Sequence, residues 1–257
     1  MLLTIDLGNT SIKLGVFEKE RQICFGTFPS KQEDFGAIIK NFLYRNNLKE
    51  EHLDDVIISS VVPSSNNHIK QDVTNIIGKE PIFIRPCDDY GIKLDVPHPE
   101  EVGCDIVAMC AYAYYKFKEE LIIVSIGTAS VICHVTKNGE FRHCIIFPGY
   151  GKIAQTLWSN TAKLPEFTIA RTKSFLPTNT VDAMNTGIYQ GYIGEVRYLL
   201  AGMKGELMAN PKIVGCGGFG KNVVDDIPEI EYYEPDLVTL GLNYIYYRYI
   251  KNETNIG

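Results

Sequence analysis

The chain has 257 residues, 45% of them apolar, enough to fill the core of one large domain or of two modest ones. A net charge of −6, with Lys and Arg thinly spread, gives no basic stripe for nucleic acid. No run approaches the ~18 apolar residues of a membrane span and no signal peptide is visible, so no membrane partner is expected and the chain reads as cytoplasmic.

In chain order, alternating apolar runs predict three short strands at 2–6, 12–17 and 22–28, with Gly8 and charged turns between them. Phe35, Ile38, Ile39, Phe42 and Leu43 recur at helical spacing. Residues 56–62 read as a buried strand ended by Pro63-Ser64-Ser65, and Ser64 or Ser65 is placed to cap a helix carrying Ile69, Val73 and Ile77. A short strand at 81–85 and an apolar helix at 102–115 follow. The pattern then restarts, with strands at 121–125, 130–135 and 141–147 and helices around 153–158 and 181–203. A strand at 212–216 runs into Gly217-Gly218-Phe219-Gly220, which is expected to open a helix, and Pro235 precedes a last amphipathic helix at 237–249. Each half thus predicts an α/β arrangement with a mixed sheet. The halves are expected at 1–117 and 118–257, parted at the charged stretch Lys116-Phe117-Lys118-Glu119-Glu120.

A short phrase begins both halves. It reads Ile5-Asp6-Leu7-Gly8-Asn9-Thr10 in the first and Val124-Ser125-Ile126-Gly127-Thr128-Ala129 in the second. Strand, Gly turn with a hydroxyl, strand is a hairpin whose tip can wrap a phosphate. A carboxylate at Asp6 can hold Mg²⁺ beside bound phosphates. Gly8 admits a phosphate without a Cβ clash, and Asn9, Thr10 and Ser11 offer donors; a plain hairpin turn uses the same residue types. Asp105, at the start of an apolar helix, is either a favourable partner for the helix dipole or a general base approached over Gly103. The Gly-rich segment from Gly215 to Gly220 either lies against an adenosine or packs a helix on the sheet.

The cysteines (Cys24, Cys87, Cys104, Cys110, Cys133, Cys144 and Cys216) are odd in number and irregular, with no CxxC. That spacing argues against a zinc or dithiol site and for small buried hydrophobes. His134 and His143, on neighbouring strands, are expected to face solvent or core rather than a metal.

Several ordered segments carry a family resemblance. Beside the two hairpins they are Ser59-Ser60-Val61-Val62-Pro63, Pro99-Glu100-Glu101-Val102-Gly103-Cys104-Asp105, Pro148-Gly149, Asn160-Thr161-Ala162-Lys163-Leu164-Pro165, Asn179-Thr180-Val181-Asp182-Ala183-Met184 with Gly187 and Gly191, Gly217-Gly218 and Leu240-Gly241-Leu242. Together they resemble the type III pantothenate kinases of the actin-like and sugar-kinase superfamily. The resemblance implies a duplicated actin-like (ribonuclease H-like) ATPase fold, two similar domains each with a mixed sheet and flanking helices. It implies ATP-dependent phosphorylation of pantothenate, the first step of coenzyme A synthesis, with Mg²⁺ and a monovalent cation (K⁺ or NH₄⁺), in a homodimer. By the same resemblance Asp6, Leu7, Gly8, Asn9, Thr10, Ser11, Ile12, Lys13 and Thr128 hold ATP, with Asp6 on Mg²⁺. Asp105 takes the hydroxyl proton, and Gly103, Cys104, Asp105, Ile106 and Thr180 line the pantothenate pocket.

The chain also departs from that pattern. Ile106 stands where the family has an arginine able to clamp a carboxylate. Val96 replaces a substrate-side tyrosine, His98 replaces an asparagine, and Ser125 replaces the aspartate of the monovalent-cation site. Lys152, Lys163 and Arg171 are candidate replacements for the missing charge. Besides a pantothenate kinase with a remodelled pocket, the departures leave open a regulatory or impaired homologue that retains nucleotide binding, and a kinase of another small hydroxyl compound.

Overall fold

All six residues of the first strand, β1 (Leu2–Leu7), are buried, so the sheet that it centres is covered on both faces. The computed structural model describes residues 1–30, 34–159 and 165–251; the motif residues 160–164, Lys163 among them, lie outside the described residues. Two compact units are present among the described residues: Met1–Phe117 together with the segment from Leu237 to Lys251, and Lys118–Asp236.

In the first unit β2 (Ser11–Glu18) folds back antiparallel on β1, and β3 (Arg21–Pro29) extends the meander. On the other side β4 (Asp55–Ser60) and β5 (Ile82–Phe83) add in parallel, giving the order β3-β2-β1-β4-β5. A two-residue strand, β6 (Lys93–Leu94), follows in the chain. Alternation sorts the two faces of the sheet. Leu3, Ile5, Leu7, Ile12, Leu14 and Val16 join the apolar faces of α1 (Phe35–Arg45) and α2 (Asn66–Ile77) in one core. The Asp34 side chain caps α1 by accepting from Ala37 N at 2.7 Å.

The opposite face, with Thr4 and Asp6, lies under α3 (Cys104–Phe117) and α6 (Leu237–Ile245). These two helices meet at backbone distance, because a Cβ on Gly241 would overlap the Ala108 carbonyl. Past α6 a π turn carries Tyr246, whose hydroxyl donates to the Asp55 carboxylate, and Arg248, which donates to the Tyr115 hydroxyl at 3.1 Å.

The second unit repeats the plan. β7 (Leu121–Ile126), β8 (Ala129–Val135) and β9 (Glu140–Pro148) form an antiparallel meander, and β10 (Lys212–Cys216) and β11 (Tyr232–Glu234) add in parallel. Ile122, Val124, Ile126 and Ile132 pack with α4 (Tyr150–Ser159) and the long α5 (Thr180–Leu207). Asn179 caps α5, accepting from Asp182 N at 2.9 Å. Among the described residues no helix is long and apolar enough to cross a membrane.

Three expectations are corrected. The segment from Leu237 joins the first unit rather than the second, since its apolar face is spent on α3 and β1. Pro63–Ser65 forms a 3₁₀ turn before α2, and Ser65 makes no side-chain cap bond. Gly217–Gly220 leads into two short 3₁₀ turns, Gly220–Asn222 and Val224–Asp226, not an α-helix.

The α3–α6 contact has a direct test. Gly241→Ala should cost about 1–3 kcal/mol, since backbone rather than a movable side chain opposes the new methyl. Urea unfolding measures this, and a midpoint equal to that of the parent chain would mean that the helices do not meet there.

Candidate active site

The β1–β2 hairpin builds the site. Leu7 pairs with Ile12, which leaves Gly8-Asn9-Thr10-Ser11 as the tip, closed by Gly8 N donating to Ser11 O at 3.0 Å. One rung further in, the register sets Asp6 opposite Lys13, and Lys13 Nζ donates to Asp6 Oδ2 at 2.8 Å. Asp6 is only 5% exposed, so this ion pair is largely shielded from water and its attraction is stronger than that of a surface pair. On the other side of β1 the parallel register places Ser59 beside Asp6. The Ser59 hydroxyl is fully buried and has no hydrogen-bond partner among the described residues.

Asp105 enters from the first turn of α3. Its Oδ1 accepts from Ile106 N at 2.9 Å. Burial, helped by the charge of Asp6, pushes its carboxyl up to about 6, against the opposing pull of the Ile106 N–H and of Lys13. Asp6, Lys13 and Asp105 therefore form one electrostatic group: two carboxylates share a single ammonium. Gly103 makes room for it, because a Cβ there would run into Asp105 Oδ1.

The other sequence candidates sort by what they can reach. Leu7 and Ile12 point into the apolar core, so they offer a ligand only backbone. Asn9 and Thr10 are exposed at the tip. Cys104 Sγ donates to Ile84 O at 3.3 Å, and burial pushes its thiol up. Ile106 is buried, at 8% exposure. Ser125, Thr128 and Thr180 belong to the second unit. There Thr128 accepts from Gly149 N at 3.0 Å through its carbonyl, and Thr180 is exposed at the start of α5.

Two of the candidate replacement charges are already engaged. Arg171 binds Asp226 through two nitrogens and also reaches Asp225, while Lys152 Nζ donates to Gln155 Oε1 at 2.9 Å.

The donor sets decide which ions fit. Asp6 and Asp105 supply two carboxylates, and the described residues hold no cluster of three or more His, Cys, Asp or Glu suited to a metal. That suits Mg²⁺, which is commonly held by one or two carboxylates together with phosphate oxygens and water. Ser125 is different: it carries no charge, and neither do its register partners Val131 and Cys216, so no carboxylate of these three residues would meet a monovalent cation.

Sequence reasoning took Ser59 only as part of a family segment and not as a site residue. The signal was its place in β4, since a strand pairing in parallel with β1 puts one of its hydroxyls next to Asp6.

Asp105 gives a stability test with a definite sign. Its native carboxyl titrates above an unfolded one, so the ionised form opposes folding, and that cost grows as pH rises from about 4 through 6. Asp105→Asn should therefore raise Tm by a few degrees at pH 7.5, and the gain should fade near pH 4. Thermal scans at the two pH values check this; a variant less stable at pH 7.5 would contradict the burial argument.

Comparison with known proteins places these features in a context. A family model described as type III pantothenate kinase matches residues 2–202. A type III pantothenate kinase of Bifidobacterium longum is 31% identical over 256 residues, covering 98% of this chain and all of that one. Another, from Agathobacter rectalis, is 30% identical over 251 residues, covering 96% of each. Among solved structures, a Campylobacter jejuni protein provisionally named a Baf family transcriptional activator aligns with a TM-score of 0.61 at 20% identity, over 98% of this chain and 99% of that one. A Porphyromonas gingivalis protein provisionally named an N-acetylglucosamine kinase aligns with a TM-score of 0.55 at 9% identity, over 97% and 99%. These structural likenesses show the fold alone, a duplicated α/β architecture.

Proposed function

The chain belongs to the type III pantothenate kinase family, and on that footing we propose that it phosphorylates pantothenate with ATP, giving 4'-phosphopantothenate at the entry to coenzyme A synthesis in the cytoplasm. The observation that carries this reading is Asp105, a carboxyl held at about 6 beside the Asp6–Lys13 ion pair. A base of that strength is ionised at neutral pH yet basic enough to accept a hydroxyl proton. Mg²⁺-ATP supplies the phosphoryl group and spreads its charge.

The chain does the rest. Asp6 holds the metal side, with Lys13 limiting the repulsion between the two carboxylates. The tip Gly8-Asn9-Thr10-Ser11 offers backbone and side-chain donors to phosphate, and Thr128 offers a hydroxyl in the matching turn of the second unit. Asp105 Oδ1 is fixed by Ile106 N, leaving Oδ2 for the substrate proton. Gly103, Cys104, Ile106 and Thr180 are proposed around the substrate.

Ile106 favours a second reading. A buried aliphatic group cannot clamp a carboxylate, which suits a small hydroxyl substrate less dependent on its anion. An ADP-release assay with Mg²⁺-ATP separates the readings. Pantothenate-dependent turnover is expected, with kcat/KM rising with pH to a plateau above about 6 and with little preference between K⁺ and Na⁺. Asp105→Asn should lower kcat by about 10²–10⁴-fold. Turnover that only another hydroxyl compound supports would select the second reading, and ATP binding with no turnover on any acceptor would select a regulatory homologue.

A homodimer belongs to the same reading. Gly187, Gly191, Gly194, Gly202 and Gly205 of α5 have open space where a Cβ would stand, and Tyr198 between them is 80% exposed. Such a face lets a second helix approach closely. Sedimentation should give a dimer for the parent chain and a monomer for Gly194→Arg; a monomeric parent would remove the dimer from the proposal.

A further inference from the structure

We propose that Cys133 and Cys144 are a dithiol that a hydroperoxide converts reversibly into a disulfide across β8 and β9. The inference stands apart from the kinase reading, because it rests on the second sheet alone. The register pairs the two residues directly, and their sulfur atoms lie 3.6 Å apart. Neither forms a disulfide; Cys133 is buried and Cys144 exposed. Directly opposed residues in an antiparallel pair have Cβ atoms about 4.5–5.5 Å apart, and a disulfide asks for about 3.5–4.5 Å. Closure thus needs a shift of about an ångström and no rearrangement of the strands.

The neighbouring rung keeps the strands in register. On the other face of the sheet His134 and His143 stack with ring centroids 5.4 Å apart, and His134 Nε2 lies 2.6 Å from Glu120 Oε1. The thiols are therefore held opposite one another rather than meeting by chance.

The chemistry needs one oxidant, a hydroperoxide such as hydrogen peroxide. Exposed Cys144 reacts first. Its thiolate attacks a peroxide oxygen, the O–O bond breaks, and a sulfenic acid and hydroxide result. The Cys133 thiolate then attacks that sulfenic sulfur: the S–S bond forms, the S–O bond breaks, and hydroxide leaves. The two protons released by the thiols convert both hydroxides to water, so two thiols and one peroxide give a disulfide and two waters. A dithiol reductant reverses the product by exchange. Burial of Cys133 directs it to its neighbour rather than to solvent.

The other cysteines are internal controls. Cys24 is half-buried in β3, Cys87 is exposed but belongs to the first unit, Cys104 donates to Ile84 O, and Cys110 and Cys216 are buried. The test treats the fully reduced chain with a few-fold excess of hydrogen peroxide and maps peptides without reduction. Expected is one cross-linked pair, Cys133–Cys144, two hydrogens lighter, with two of the seven thiols lost to titration and regained with dithiothreitol. Cys144→Ser, a change at an exposed position, should abolish the cross-link and slow thiol loss at least tenfold. Cys133→Ala should leave a sulfenic acid at Cys144 that dimedone traps. Cys144 driven to sulfinic acid with Cys133 still reduced, or both thiols unchanged at that dose, would overturn the proposal.

Discussion

Two carboxylates and one ammonium, Asp6 and Lys13 on the sheet and Asp105 on the helix α3, are the constraint around which the first unit is arranged. Charge in a poorly solvated place is costly unless it is paired or neutralised. Asp6 is paired, by Lys13 across one rung of the hairpin. Asp105 is left with a backbone N–H and a share of that same ammonium. The unsatisfied remainder appears as its raised pKa. A site complete in itself would have no use for a divalent cation or a proton; this one is short of positive charge by about one unit, which is what Mg²⁺-phosphate or a substrate proton brings.

The rest of the unit keeps that arrangement in place. Asp6 is fixed because β1 lies between β2 and β4, so its direction is set by registers on both sides. Asp105 is fixed because α3 lies on the same face, and α3 is held there by the backbone-close contact of Gly241 with Ala108. That contact explains why the chain returns to the first unit at its end. α6 covers apolar residues of α3 that the first 117 residues leave without a partner. The Tyr246–Asp55 and Arg248–Tyr115 bonds then tie down the segment beyond it.

Much of this was legible in the sequence, and the limits have physical reasons. The strand runs, the repeat and the Gly turns were readable because period-two alternation and Gly punctuation are local signals. The Asp6–Lys13 pair was not readable, because a tip of three residues would set Asp6 opposite Ile12, and only the observed tip of four brings Lys13 to it. The pKa of Asp105 was not readable, because it depends on how deeply α3 lies and on a carboxylate 99 positions earlier in the chain. The home of α6 was hidden for a similar reason: an amphipathic helix declares that it has an apolar face but not which surface covers it. Cysteine spacing could not show that Cys133 and Cys144 face one another, since they meet only through the register of β8 and β9.

The two hairpins, compared rung by rung, show why one copy carries the charge. Asp6 sits between Lys13 on β2 and Ser59 on β4. Its counterpart Ser125 sits between Val131 on β8 and Cys216 on β10. The carboxylate, its ammonium and its hydroxyl neighbour are therefore all absent from the second copy, replaced by residues carrying no charge. A buried carboxylate with its lysine replaced by valine would stand unpaired and costly, and a buried lysine facing serine equally so. The charged pair can be kept or discarded only as a set. In the second unit the set is discarded and the hairpin keeps its turn, so Thr128 remains available as a hydroxyl while the charge-dependent chemistry rests on Asp6, Lys13 and Asp105 of the first.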